Sequence, residues 1–129
     1  MIRISNLLDI NKSEIGFYNS TTGEYNNDKI SFTSQFIPFS IKDVFNFSLP
    51  TSWFSENVTL WDIDKKIITS GYSLNNHKVI KDGYVTFFLD ESKAFVDEGW
   101  KKAKYIRFSF YGGNKNSIII TKKNIYNDF

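Results

Sequence analysis

The chain has no cysteine, one histidine, two prolines and no long apolar run among its 129 residues. Without cysteine there is no disulfide, thiol nucleophile or Cys-ligated metal. With His77 alone, a His-based metal cluster is excluded, and a Ser-His-Asp triad would have to use that one residue. No stretch approaches the ~20 apolar residues of a membrane span. The opening MIRISNLLDI is not a signal peptide, because its apolar stretch is short and Asp9 interrupts it. Charge of one sign is lacking too: 16 basic and 14 acidic residues leave a formal net charge of +2. That balance argues against a nucleic-acid partner, which calls for a basic bias.

Aromatic residues are plentiful, at 18%, with 13 Phe and 7 Tyr. Such side chains suit a half-buried pleated surface. The length fits one domain, residues 1–129. A chain of this size hides roughly two-thirds of its extended surface on folding.

Short runs alternate apolar and polar along the chain. Phe45, Phe47 and Leu49 point one way, as do Val58 with Leu60, Val85 with Phe87 and Leu89, and Ile106 with Phe108 and Phe110. Ile15, Phe17 and Asn19, and Ile30 with Phe32, begin earlier runs, and Ile118–Ile120 is a last, wholly apolar one. Turn-forming segments such as TTGEYNND, SLNNHKVIKDG and YGGNKN separate them. Short strands at roughly ten-residue spacing predict an all-β sandwich or barrel. The segment ESKAFVDEGWKKA is the one helix candidate. Ser92 offers a cap, while Gly99 and the lack of an apolar stripe count against it.

If every strand crosses the sandwich end to end, loops alternate between its two ends. Loops 21–27, 50–56, 73–83 and 112–116 then share one end, and loops 40–43, 63–66 and 91–102 the other. The first end collects Tyr25, Trp53, Tyr72, His77, Tyr111, Asn114 and Asn116. Trp53 follows Pro50 among turn formers, as a loop-borne indole platform for a sugar would. The alternative is that it folds back over the core. His77 is expected on an exposed loop, able to hydrogen-bond a sugar hydroxyl. Trp61 is read as packing across strands on the outer sheet face, and Trp100 as sealing the opposite end. Tyr105, Arg107, Ser109 and Tyr111 share one strand face, read as solvated, with Arg107 offering a fork of donors to hydroxyl, carboxylate or phosphate. The site expected from these residues is Trp53, Tyr25, Tyr72, His77, Arg107, Tyr111, Asn114 and Asn116. The Asp62-Ile63-Asp64 turn lacks the spaced ligands of a calcium loop. No facing carboxylate pair of the glycosidase kind is evident, so neither an enzyme nor a cofactor or metal is expected.

NLLD at Asn6–Asp9, IGFYNSTTGE at Ile15–Glu24, SQFIPF at Ser34–Phe39, VTLWDIDKKIITSG at Val58–Gly71 and AKYIRFSF at Ala103–Phe110 stand in an order that deserves comparison. They resemble the carbohydrate-binding-like jelly-roll modules of tail, baseplate and neck proteins in phages of Gram-positive bacteria. Two loops depart from that pattern, DEGWKK and SIKDVFNF, which bears on ligand identity more than on fold. The resemblance implies a galactose-binding-like jelly roll of about eight antiparallel strands. It implies a non-catalytic module of a virion protein, made in the host cytoplasm and adhering to cell-wall polysaccharide. Other virion proteins would be its further partners, with no nucleic acid and no membrane insertion. It carries over no ligand residue. The alternatives are a structural or docking module of the virion that binds no sugar, and the binding module of a cell-wall hydrolase.

Overall fold

The computed structural model describes residues 6–49, 51–55, 57–69, 77–82, 84–89, 98–112 and 115–124. Its strands are short. They are β1 (Glu14–Ile15), β2 (Phe17–Tyr18), β3 (Tyr25–Asn26), β4 (Ser31–Thr33), β5 (Ile37–Pro38), β6 (Asp43–Ser48) and β7 (Thr59–Trp61). They continue as β8 (Ile67–Ile68), β9 (Lys78–Lys81), β10 (Tyr84–Phe88), β11 (Tyr105–Arg107), β12 (Ser109–Tyr111) and β13 (Ile119–Asn124). Among the described residues every pairing is antiparallel. One helical turn, α1 (Glu98–Lys101), lies within the segment with helical composition.

The architecture is an all-β sandwich. One sheet has the order β13-β6-β10-β9. The other is two ladders, β1-β4-β12 and β5-β11-β7-β8, joined because β4 runs on toward β5 and β11 into β12. Thirteen segments thus make fewer strand courses, and the kinks have local causes. Between the Ile106↔Ile37 and Ser109↔Thr33 pairs, Arg107 and Phe108 face Ser34, Gln35 and Phe36. Three residues against two form a β-bulge, which bends a strand and re-aims its side chains. Gly16, at φ 96°, turns the chain between β1 and β2.

The inner faces are those that the alternation predicts. Phe45, Phe47, Val85 and Phe87 meet Val58, Leu60, Ile106, Phe108 and Phe110 in one buried core. Ring pairs bridge the two sheets, Phe47 to Phe108 at 4.7 Å and Phe87 to Phe108 at 5.6 Å between centroids, both near edge-to-face. That arrangement suits the ring quadrupoles.

The β2–β3 hairpin lies on the outer face of the joined sheet, where Tyr18 meets Trp61 edge-on at 5.1 Å. Gly16 sets its departure. A Cβ there would run into the Asn26 carbonyl oxygen, on a backbone conformation that L-residues resist. Gly16→Ala is therefore expected to cost more than about 1 kcal/mol in urea unfolding. A neutral result would mean that the hairpin does not dock as described.

Candidate functional site

Arg107 and His77 do not sit where alternation and loop composition place them. Arg107 is not on a solvated face; it is only 4% exposed. Its Nε donates to the Ser34 carbonyl at 2.8 Å and its Nη2 to Glu14 Oε1 at 3.0 Å. The guanidinium lies 4.5 Å from the Phe36 ring, 5.1 Å from Tyr18 and 5.4 Å from Trp61. The bulge supplies Phe36 and the hairpin supplies Tyr18, so a face polar in sequence becomes covered. Tyr18 also donates to Glu14 Oε1 at 2.9 Å. Burial first, then the Glu14 carboxylate, pushes the Tyr18 phenol above its ordinary pKa. Trp61 is buried with its indole N–H on Thr59 at 2.9 Å, in keeping with packing on the outer sheet face.

His77 is not exposed either. It is buried, its ring 6.0 Å from Trp100 and 6.5 Å from Phe87. It therefore does not stand on an exposed loop, as its neighbours in sequence suggest. Its nearness to Trp100 also breaks the two-ended sorting of loops, which put the two at opposite ends. Segments as short as β3, β5 and β8 do not cross the sandwich, so counting crossings fails. Trp100 itself is part of the core.

Trp53 ends a 3-10 turn at Thr51–Trp53 and packs half-buried against the core. The fold-back alternative holds for much of its surface. The next residue, Phe54, bridges antiparallel to Phe110, which sets Trp53 near the level of Tyr111. Tyr72 and Asn114 lie outside the described residues. The Asp62 carboxylate caps its own turn, Oδ1 accepting from the Asp64 and Lys66 amides at 2.9 and 3.0 Å. Among the described residues no three His, Asp or Glu side chains converge as metal ligands would.

The remaining residues do come together. A cleft of about 260 Å³ opens where β1, the start of β4 and the end of β12 meet, lined by Ile15, Lys29, Ile30, Ser31, Phe32, Gly112 and Lys115. Tyr111, 39% exposed, pairs with Ser31 in the β4–β12 ladder. The exposed Tyr25 phenol donates to the Ile15 carbonyl, and exposed Asn116 follows Lys115. Three of the expected residues thus stand beside lining residues of one cleft, Tyr25 by its bond to Ile15, Tyr111 by pairing with Ser31 and Asn116 by following Lys115, while none is itself in the lining. No family model, curated protein or solved structure matches the chain.

Lys29, Ile30, Ser31 and Phe32 are not among the residues that the sequence marks as a site. The signal was the turn Asp28-Lys29-Ile30, whose Asp28 Oδ1 accepts the Ile30 amide and Oδ2 the Ser31 hydroxyl. An Asp holding backbone two residues on marks a turn, and this one delivers lysine and isoleucine to the cleft.

Proposed function

We propose that this β-sandwich is a non-catalytic saccharide-binding module. In line with the family it resembles, it would belong to a phage virion protein that adheres to the host cell wall. The observation that carries the reading is a cleft whose lining residues Ile15, Ser31 and Lys115 adjoin Tyr25, Tyr111 and Asn116, the first by a hydrogen bond, the second by strand pairing and the third in the chain. An exposed ring face packs against the C–H face of a sugar, and amide and hydroxyl groups beside it fix orientation. The two carboxylates next in chain to lining residues, Glu14 and Asp28, are already engaged within the fold. Both Asp28 oxygens serve their turn, and Glu14 accepts from Tyr18 and Arg107. A glycosidase needs two carboxyl groups facing each other across the scissile bond. Weak single sites would gain strength from many copies on one particle.

A fluorescent fusion binding to intact cells of candidate hosts, with purified polysaccharide as competitor, tests this. Tyr111→Ala should weaken cell labelling about tenfold, roughly 1.4 kcal/mol. Its melting temperature should barely move, since surface changes usually stay within about 0.5 kcal/mol. Tyr111 is a cleaner probe than Trp53, whose packing on the core mixes binding with stability. Unchanged labelling by a folded Tyr111→Ala protein removes the cleft from the site.

A second reading, a docking piece between virion proteins, is favoured by the β9–β10 hairpin. Among the described residues β9 ends its sheet, and Val79, Ile80 and Tyr84 there are 40%, 52% and 63% exposed. An edge strand with apolar side chains invites pairing. The labelling experiment decides between the two, because a docking piece leaves cells unlabelled.

A further inference from the structure

We propose that the cleft between β1, β4 and the end of β12 takes an acidic group of a saccharide, a phosphate or a carboxylate. Lys29 and Lys115 would supply the positive charge, so that the module prefers anionic glycans over neutral ones. This rests on the saccharide-binding reading above and names the ligand class for the same cleft.

Lys29 and Lys115 are the charged residues in its lining. Among the described residues neither is within 4.0 Å of a carboxylate oxygen. The nearest acid in sequence, Asp28, is not in the lining and has both oxygens engaged by Ile30 and Ser31. Neither ammonium is therefore tied into an ion pair with a described carboxylate.

The surroundings make that charge effective. Phe32 is buried as part of the lining, and the Lys115 ammonium sits 4.9 Å over its ring. A cation resting on a ring is restrained before the ligand arrives, which lowers the ordering cost of binding. Ile15 and Ile30 flank the cleft, 56% and 68% exposed. Their apolar side chains suit the apolar face of a sugar ring. Gly112, at φ 49°, donates its N–H to the Ile30 carbonyl and adds no side chain to fill the space. The volume, about 260 Å³, lies just below the range typical of drug-sized ligands, so one sugar-sized unit fits rather than a chain. Lysine acts as a point charge and accepts phosphate or carboxylate without bidentate geometry.

The test is titration of the whole protein, followed by amide chemical shifts, with three trisaccharides. One carries a phosphodiester, one is a uronate, and one is neutral. The expected result is a Kd at least tenfold lower for one or both acidic probes than for the neutral one. That advantage should shrink as salt rises from about 0.05 to 0.5 M, where screening shortens to a few Å. The variant Lys29→Gln/Lys115→Gln should erase the preference at an unchanged melting temperature. Lys29→Glu, at an exposed position, reverses one charge and should lower acidic binding further should the double variant fold poorly. Preference for one acidic probe alone identifies the acidic group and upholds the proposal. Equal binding of the neutral probe overturns it and leaves the saccharide reading intact. Binding of none of the three overturns both. An acidic preference that survives in the folded variants overturns the assignment to this cleft.

Discussion

Phe108→Ala is expected to lower the free energy of unfolding by about 3–5 kcal/mol, as large core truncations do. Phe108 is fully buried between the two sheets. Its ring meets Phe47 at 4.7 Å, Phe45 at 5.1 Å, Phe87 at 5.6 Å and Phe54 at 6.2 Å. The cost of such a deletion depends on how far the site collapses into the void. Here collapse is opposed on the backbone side. The Phe108 carbonyl accepts the Ser34 amide at 2.8 Å, and its own amide donates to Ser34 Oγ at 3.0 Å. Those bonds sit at the bulge that joins the two ladders, so the strand cannot shift inward without breaking the join. In urea the midpoint should fall with an unchanged slope, because the surface exposed on unfolding is nearly the same. The melting temperature should drop by roughly 10–20 °C. A loss below about 1 kcal/mol would contradict the strand phase and the sandwich with it.

That phase was legible in the sequence because a strand's period of two is a local property. Ile106, Phe108 and Phe110 alternate against Tyr105, Arg107, Ser109 and Tyr111, and the first set is buried throughout. The same rule fails where a course is broken. Ile15 is exposed although it alternates with Phe17, because Gly16 turns the chain between them. Ile30 is exposed because it precedes β4 and belongs to the Asp28 turn. Period two tells which residues share a face and is silent on what covers it. The cover over Arg107 comes from Tyr18, some ninety positions away, and from a bulge invisible in either strand alone. Thr33 and Ser109 show the same thing: their hydroxyls meet at 3.1 Å, and Thr33 also donates to the Gly16 carbonyl, in a layer that reads as surface. His77 was misplaced for the converse reason. Its neighbours, Leu74-Asn75-Asn76, have the composition of a loop, while the ring itself packs on Trp100 and Phe87. The cleft was half legible. Tyr25, Tyr111 and Asn116 stood out as aromatic and amide groups near turns, but Lys29 and Ile30 gained meaning only through the β4–β12 pairing.

Arg107→Ala should cost about 2–4 kcal/mol, short of the full penalty for orphaning a buried ion. Its partner Glu14 has a side chain 41% exposed and recovers water once the guanidinium is gone. The Ser34 carbonyl loses its donor, and the Tyr18, Phe36 and Trp61 rings lose the group they enclose. Cation–π contacts of this kind contribute roughly 0.5–2 kcal/mol each when shielded. Arg107→Lys should restore only a small part of the loss, since one ammonium does not reproduce a planar fork spanning Ser34 and Glu14. A second readout separates the cluster from general loosening. Arg107 acts to lower the Tyr18 pKa, against burial and Glu14, which raise it. Removing Arg107 should therefore raise the Tyr18 pKa further, followed by the ring carbon shift in an alkaline titration. The sign for stability follows from linkage. A phenol whose folded pKa is raised contributes stability that is present below the unfolded value near 10 and is lost as pH climbs through the folded one. The wild type should thus weaken at strongly alkaline pH. In the Arg107→Ala protein the Tyr18 contribution should persist to higher pH, even though total stability is lower. A cost below about 1 kcal/mol together with an unmoved Tyr18 titration would mean that Arg107 is not enclosed. The outer face would then be open to ligand, as the alternation alone suggests.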